Sequence, residues 1–125
     1  MRPKHTTLTP QELEIMKLVW QRRKATVRNI YEALLEHRKI AYTTVMTMMK
    51  ILEAKGYLKK SRQGRAFVYR PVHAQKQIIA GMIHEFIHRV FNGSAEPLLV
   101  YLVKSRQLRR KDLQKLSVRP PGAKK

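Results

Sequence analysis

Apolar positions recur at helical spacing in three successive segments, and then the period changes. Leu13, Met16, Val19 and Trp20 make one face at steps of three, three and one. Thr9-Pro10-Gln11-Glu12 ahead of them is a helix start: a capping threonine, proline at the first helical position, and a glutamate to complete a capping box. Arg22-Arg23-Lys24 suits the helix's C-terminal end. A second helix is predicted from Thr26 as cap, with Val27, Ile30, Tyr31, Leu34 and Leu35 inward and Arg38-Lys39 marking its end. The third covers 41–55, with Val45, Met48, Met49 and Leu52 as its core face and Gly56 as a left-handed cap. Its other face carries Thr43, Thr44, Met46, Thr47 and Lys50. Adjacent threonines are poor helix formers, so their exposure at a helix start points to a use beyond stability.

After Gly56 the alternation is that of strands. Tyr57–Ser61 and Ala66–Arg70 are predicted as a hairpin, with Arg62-Gln63-Gly64-Arg65 turning between them and Pro71 stopping the second strand. Helical spacing resumes over 74–91, where Ile78, Met82, Phe86 and Val90 form one row and Ile79, Ile83, Ile87 and Phe91 the next. Asn92-Gly93-Ser94 breaks this helix. Residues 97–103 form a short apolar helix, Leu108, Leu113 and Leu116 mark a weak last one, and a basic tail follows. There is no internal repeat. The fold class is mainly α with a small β-hairpin: a winged helix-turn-helix followed by C-terminal dimerisation helices. The expected organisation is a DNA-binding domain over 1–72, a helical region over 73–117 and a flexible tail over 118–125. The double row on 74–91 is too wide for the short helix after it to cover. Its expected partner is a second copy of the chain, meeting it through Ile78, Met82, Phe86, Val90, Phe91, Leu98, Leu99 and Leu102.

Charge adds a partner. The 125 residues hold 27 Lys and Arg against 8 Asp and Glu, a net charge of +19. The excess is shared, with 16 bases and 5 acids in 1–72 and 11 bases and 3 acids beyond. Such a charge calls for a polyanion. The absence of cysteine excludes disulfides, thiol nucleophiles and cysteine-based metal sites. No run is long enough to span a membrane and the N-terminus lacks a secretory apolar stretch, so a soluble cytoplasmic protein is expected.

In a winged helix the third helix enters the major groove and the hairpin touches the backbone. Thr43, Thr44 and Thr47 have methyls for thymine and hydroxyls for phosphate, and Met46 can press on a base edge. Lys50, Lys59, Lys60, Arg62 and Arg65 can neutralise phosphates. Tyr42 fits either a packing or a phosphate-contact role, with phosphate slightly favoured. Met48 and Met49 belong to the core rather than to a soft-metal box, and Trp20 is a core anchor. A rival motif, His84-Glu85-Phe86-Ile87-His88, has the H-E-x-x-H pattern of zinc proteases. Only Glu96 and Asp112 follow it as carboxylates, no further histidine does, and no second lobe is available for a cleft. Solvated histidines are favoured over a structural or incidental zinc site, and no metal, no cofactor and no catalysis are expected. The alternatives to a sequence-specific repressor are a basic protein binding nucleic acid without sequence preference and, remotely, a metalloprotease.

Several separated stretches resemble the penicillinase-repressor family, which comprises β-lactamase and methicillin-resistance repressors with copper-responsive relatives. They are Leu8-Thr9 with Glu12-Leu13-Glu14-Ile15-Met16 and Val19-Trp20; Thr26-Val27-Arg28; Ala41-Tyr42-Thr43-Thr44-Val45-Met46-Thr47; Leu52-Glu53-Ala54-Lys55-Gly56-Tyr57-Leu58; Gly64-Arg65-Ala66-Phe67-Val68-Tyr69-Arg70-Pro71; and Phe91-Asn92-Gly93-Ser94. The resemblance runs over about residues 8–116. It implies a homodimeric repressor on a palindromic operator of double-stranded DNA, controlling genes of the β-lactam-resistance type. In some members a membrane sensor protease ends repression through cleavage in the C-terminal helices. Two departures stand out. The C-terminal cysteines of copper-responsive members are missing, and the segment Leu108–Leu116 is basic where members often end in an acidic helix. The residues assigned to DNA contact are Thr26, Arg28, Tyr42, Thr43, Thr44, Met46, Thr47, Lys50, Lys60, Arg62 and Arg65.

Overall fold

The computed structural model describes residues 8–105. The order of elements is α1 (Pro10–Arg22), α2 (Val27–Leu35), α3 (Tyr42–Ala54), β1 (Leu58–Gln63), β2 (Ala66–Pro71), α4 (Gln75–Phe91) and α5 (Glu96–Lys104). The helix expected around Leu108, Leu113 and Leu116, and the basic tail, lie outside the described residues. The chain separates into two compact units at Ala80/Gly81, inside α4, whereas the sequence reading places the boundary after Val72.

The first unit has a closed core. Ile15, Met16 and Val19 of α1, Ile30 and Leu34 of α2, Val45, Met49 and Leu52 of α3, and Leu58 of β1 are all fully buried. The α1 stripe is rotated from the expected one. Ile15 and Val19, one turn apart, are buried, while Leu13 and Trp20 are half-buried. The rotation follows from Glu12, which occupies the turn before Met16 and is itself only 6% exposed. Its carboxylate accepts from Lys55 Nζ at 2.8 and 3.1 Å and from the Thr9 backbone N–H at 3.0 Å. Thr9 Oγ1 accepts in turn from the Glu12 N–H, so the capping box is complete. Burial alone would raise the Glu12 carboxyl pKa, but the Lys55 ammonium and the Thr9 donors outweigh it and hold it below its ordinary 4.5. Leu35 and Met48, expected in the core, are exposed and half-buried respectively. Trp20 Nε1 donates to the His73 carbonyl at 2.9 Å, tying the end of the hairpin segment to α1.

The hairpin differs from the expected one in register. Strand pairing runs from Leu58↔Pro71 to Gln63↔Ala66, so Arg62 belongs to β1 and only Gly64-Arg65 connects the strands. Gly64 takes φ 61°, the glycine-first pattern of a two-residue hairpin turn. Tyr57 precedes the strand and is buried, with its carbonyl accepting from Val72 N at 2.9 Å. Ala25, in the link between α1 and α2, forms an isolated antiparallel bridge to β2 by exchanging both backbone hydrogen bonds with Tyr69 at 2.8 and 3.0 Å. Gly56 ends α3 at φ 92°, as expected.

In the second unit the helix break falls where the sequence places it. Asn92 and Gly93 turn the chain at φ 56° and 92°. No residue of α4 or α5 is buried.

Candidate nucleic-acid interface

Three pieces of the first unit converge on one open cleft of about 700 Å³. The α2 N-terminus brings Thr26, Val27 and Arg28. The first three turns of α3 bring Tyr42, Met46 and Lys50, which form one row at spacing four. The hairpin brings Lys60, Arg65, Ala66, Phe67 and Tyr69. The floor is apolar and the rim carries four cations.

Each element places its side chains for a local reason. Thr26 has extended backbone and its hydroxyl accepts from Asn29 N at 3.0 Å, while Asn29 Oδ1 accepts from Thr26 N. The threonine assigned to DNA contact is thus first an N-cap. It turns the open N-terminal end of α2, with its partial positive charge, toward the cleft. Arg28 forms an exposed ion pair with Glu32 at 3.3 Å and lies 5.9 Å from the Tyr42 ring centroid. Tyr42 also meets Tyr31 edge-on at 5.3 Å. Its ring therefore braces α3 against α2, which is the packing role, while Tyr42 remains exposed at the cleft rim.

On α3, Thr43, Thr44 and Thr47 are exposed and do not line the cleft. Successive residues turn by about 100°, so Thr43 and Thr47 point away from the buried row Val45, Met49 and Leu52, with Thr44 on one flank. The helix thus presents two surfaces, a threonine ridge and, beside it, the cleft wall of Tyr42, Met46 and Lys50.

Alternation along the hairpin puts Lys60, Arg62, Phe67 and Tyr69 on one face. Phe67 is 46% exposed, with Lys60 Nζ 4.6 Å and Arg62 Cζ 5.5 Å from its ring centroid. Both cations are held by a ring face on the wing itself. Tyr69 closes the floor. Burial, then the Glu53 carboxylate, raises its pKa above 10.0, so the phenol stays protonated at neutral pH. On the opposite hairpin face Arg70 donates to Ser61 Oγ at 2.9 Å.

Of the assigned residues, Thr26, Arg28, Tyr42, Met46, Lys50, Lys60 and Arg65 meet at the cleft. Thr43, Thr44 and Thr47 form the ridge, and Arg62 lies on the wing beyond the cleft lining. Sequence reasoning missed Val27, Ala66, Phe67 and Tyr69. The signal for Phe67 was available: in a hairpin, a large aromatic facing a lysine and an arginine across the ladder is a cation–π pair in waiting.

A helical core, a helix with an exposed polar ridge and a cation-bearing β-hairpin hung beside it define a winged-helix DNA-binding regulator. The family model of the penicillinase repressor matches residues 8–119, and the chain belongs to that family. It is 37% identical over 103 residues to the transcriptional regulator BlaI of Mycobacterium tuberculosis, across 81% of this chain and 75% of that one. Two solution structures superpose on it. The DNA-binding domain of the repressor BlaI does so with TM-score 0.52 and 28% identity, over 60% of this chain and 90% of that one. The monomeric form of Bacillus licheniformis BlaI in complex with the blaP half-operator does so with TM-score 0.51 and 29% identity, over 61% and 92%. The chain is accordingly a DNA-binding transcriptional repressor of winged-helix type.

Proposed function

We propose that this repressor occupies a palindromic operator as a homodimer in the cytoplasm, each first unit reading one half-site and α4 and α5 joining the two copies. The observation that carries the reading is the pairing of the α3 threonine ridge with the cation-rimmed cleft beside it. The ridge offers Thr43, Thr44 and Thr47 to base edges in the major groove, where their methyls meet thymine methyls. The cleft receives the sugar–phosphate backbone: Arg28, Lys50, Lys60 and Arg65 neutralise phosphates around the α2 N-terminus, and Arg62 extends this along the wing. Repression follows from occupancy of the promoter, and no catalytic step is involved. Among the described residues no helix is long and apolar enough to cross a membrane. A sensor protease acting on the C-terminal helices is the proposed route of release.

The dimer reading is supported by the second unit. Ile83, Phe86, Val90, Leu99, Val100, Tyr101 and Val103 are exposed, Tyr101 to 58%, and Met82, Phe91, Leu98 and Leu102 are only half-buried. That much large apolar surface on two short helices is what an obligate partner covers.

Selection of bound sequences from a random DNA pool tests the proposal. A recovered palindrome holding two chains supports it, and recovery of unrelated sequences overturns sequence-specific reading. Within that palindrome, replacing thymine by uracil removes only the methyl. The affinity of the native chain should fall several-fold at the contacted position, while Thr47→Ser, which lacks the complementary methyl, should be insensitive to the swap. An equal loss in both proteins would remove Thr47 from base reading.

A further inference from the structure

α4 carries a pair of groups that DNA reading does not use. His84 and His88 are one helical turn apart and both are exposed. Their ring centroids are 6.3 Å apart with the planes at 54°. Among the described residues neither ring is engaged in a hydrogen bond or ion pair, and the only ring contact either makes is with the other. The helical turn sets both on the flank of α4 away from Ile79, Ile83 and Val90 and beside Phe91, at the edge of the apolar face.

We propose that His84 and His88 form a two-imidazole seat for a late first-row divalent cation, of the Zn²⁺ or Cu²⁺ class. Imidazole nitrogen is the donor these ions favour, and residues four apart on a helix are neighbours on its surface. Metal–nitrogen bonds of about 2.0–2.1 Å need the two ligating nitrogens on the same side and close together. Two rings one turn apart on a helix can turn about their side-chain bonds to share one ion. The pair lies in the last two turns of a 17-residue helix, toward the negative end of its dipole, with Glu85 between the two histidines. Among the described residues no group of three or more His, Cys, Asp or Glu is placed to hold a metal. The seat is therefore a two-ligand clip whose other positions are filled by water or by groups of another molecule, not a protease centre. Closing it fastens the helical turn that follows Gly81, a residue with no neighbour within 4 Å of an added Cβ. A bound ion stabilises the helical form of α4 by mass action.

The test is titration of the full chain with Zn²⁺ alone, followed by calorimetry, with helicity and thermal unfolding read in parallel. One ion per chain is expected, with a rise in the unfolding temperature. His84→Ala and His88→Ala should each weaken binding by at least about tenfold, since loss of a ligand costs no less than loss of the groups that orient one. His88→Ala combined with Arg89→His keeps the number of imidazoles but moves the second to the wrong side of the helix, and should bind as weakly. His37→Ala should bind as the native chain does. Native-like binding by His84→Ala or by the shifted pair overturns the proposal, as does loss of the ion in His37→Ala. Operator affinity is measured separately, in chelator, so failure here leaves the DNA reading untouched.

Discussion

The two units of this repressor solve the burial of apolar surface in opposite ways. Among the described residues the first encloses nine large, fully buried side chains drawn from three helices and a strand, and the one buried charge there, Glu12, is neutralised by Lys55 at the C-terminal end of α3. In the second, α5 and the part of α4 beyond Gly81 bury nothing completely, though they are as rich in Ile, Leu, Val and Phe. Composition therefore does not distinguish an enclosed core from an uncovered apolar face. The distinguishing feature is whether enough elements of the same chain surround the apolar face. The first unit has helices on three sides and a sheet to close it, whereas the described part of the second has only α5 and the end of α4.

The largest effect expected from this contrast is on assembly. Ile83→Glu together with Val90→Glu places charges in the exposed stripe of α4. Dimerisation should be lost, and with it the gain from linking two readers, so palindrome affinity should drop about 10²–10⁴-fold while half-site affinity is unchanged. Sedimentation and binding to half and full sites decide it. A variant that remains a dimer would show that the stripe is not the interface.

Next comes the asymmetry of core and stripe. Leu52→Ala should destabilise the first unit by about 2–5 kcal/mol, because the cavity has nowhere to collapse. Val90→Ala, which lies beyond a fragment ending at residue 80, should act in the full chain only through the proposed dimer, with a concentration-dependent midpoint. Such a fragment should extend to Ala80, since ending at Val72 removes the His73 carbonyl that Trp20 uses. Denaturant titration at two protein concentrations separates the two mutations.

The smallest effect is that of acid. The Glu12 carboxyl is held below its ordinary value in the folded chain, so it binds a proton less readily folded than unfolded. It therefore adds stability above about pH 4.5, and that contribution is lost as pH falls through the depressed folded value. Glu12→Gln should be less stable at neutral pH by about 1–3 kcal/mol and should lack this part of the acid dependence. Thermal unfolding from pH 7 to pH 3 checks both, and parallel pH curves for the two proteins would contradict the assignment.

Much of this was legible in the sequence. The capping boxes, the helix break at Asn92-Gly93 and the helix–helix–helix–hairpin order rest on local chemistry, which a chain carries in its own residues. The rotation of the α1 stripe was not legible, because it depends on Glu12 finding Lys55 across 43 positions, and periodicity alone cannot see a buried ion pair. The hairpin register was missed by two residues. Gly64 marks the turn, but only the pairing of Gln63 with Ala66 decides that Arg62 is a strand residue. For the site, the basic residues and the threonine ridge could be named from type and spacing. Phe67 was within reach of the hairpin pattern, whereas the place of Tyr69 in the cleft becomes visible only when the hairpin folds against α2 and α3.

The short bridge between Ala25 and Tyr69 has a mechanical consequence. It anchors the wing at its base to the corner between α1 and α2, and α2 in turn braces α3 through the Tyr31–Tyr42 contact. The gap between reading helix and wing is thereby fixed, as in a caliper with its jaws locked. A locked gauge cannot follow a duplex whose backbone spacing differs from its own setting, so the DNA must deform to fit. The energy of doing so depends on base steps the protein never touches. Sequences that are stiff at those steps should be discriminated against even when every contacted base is correct.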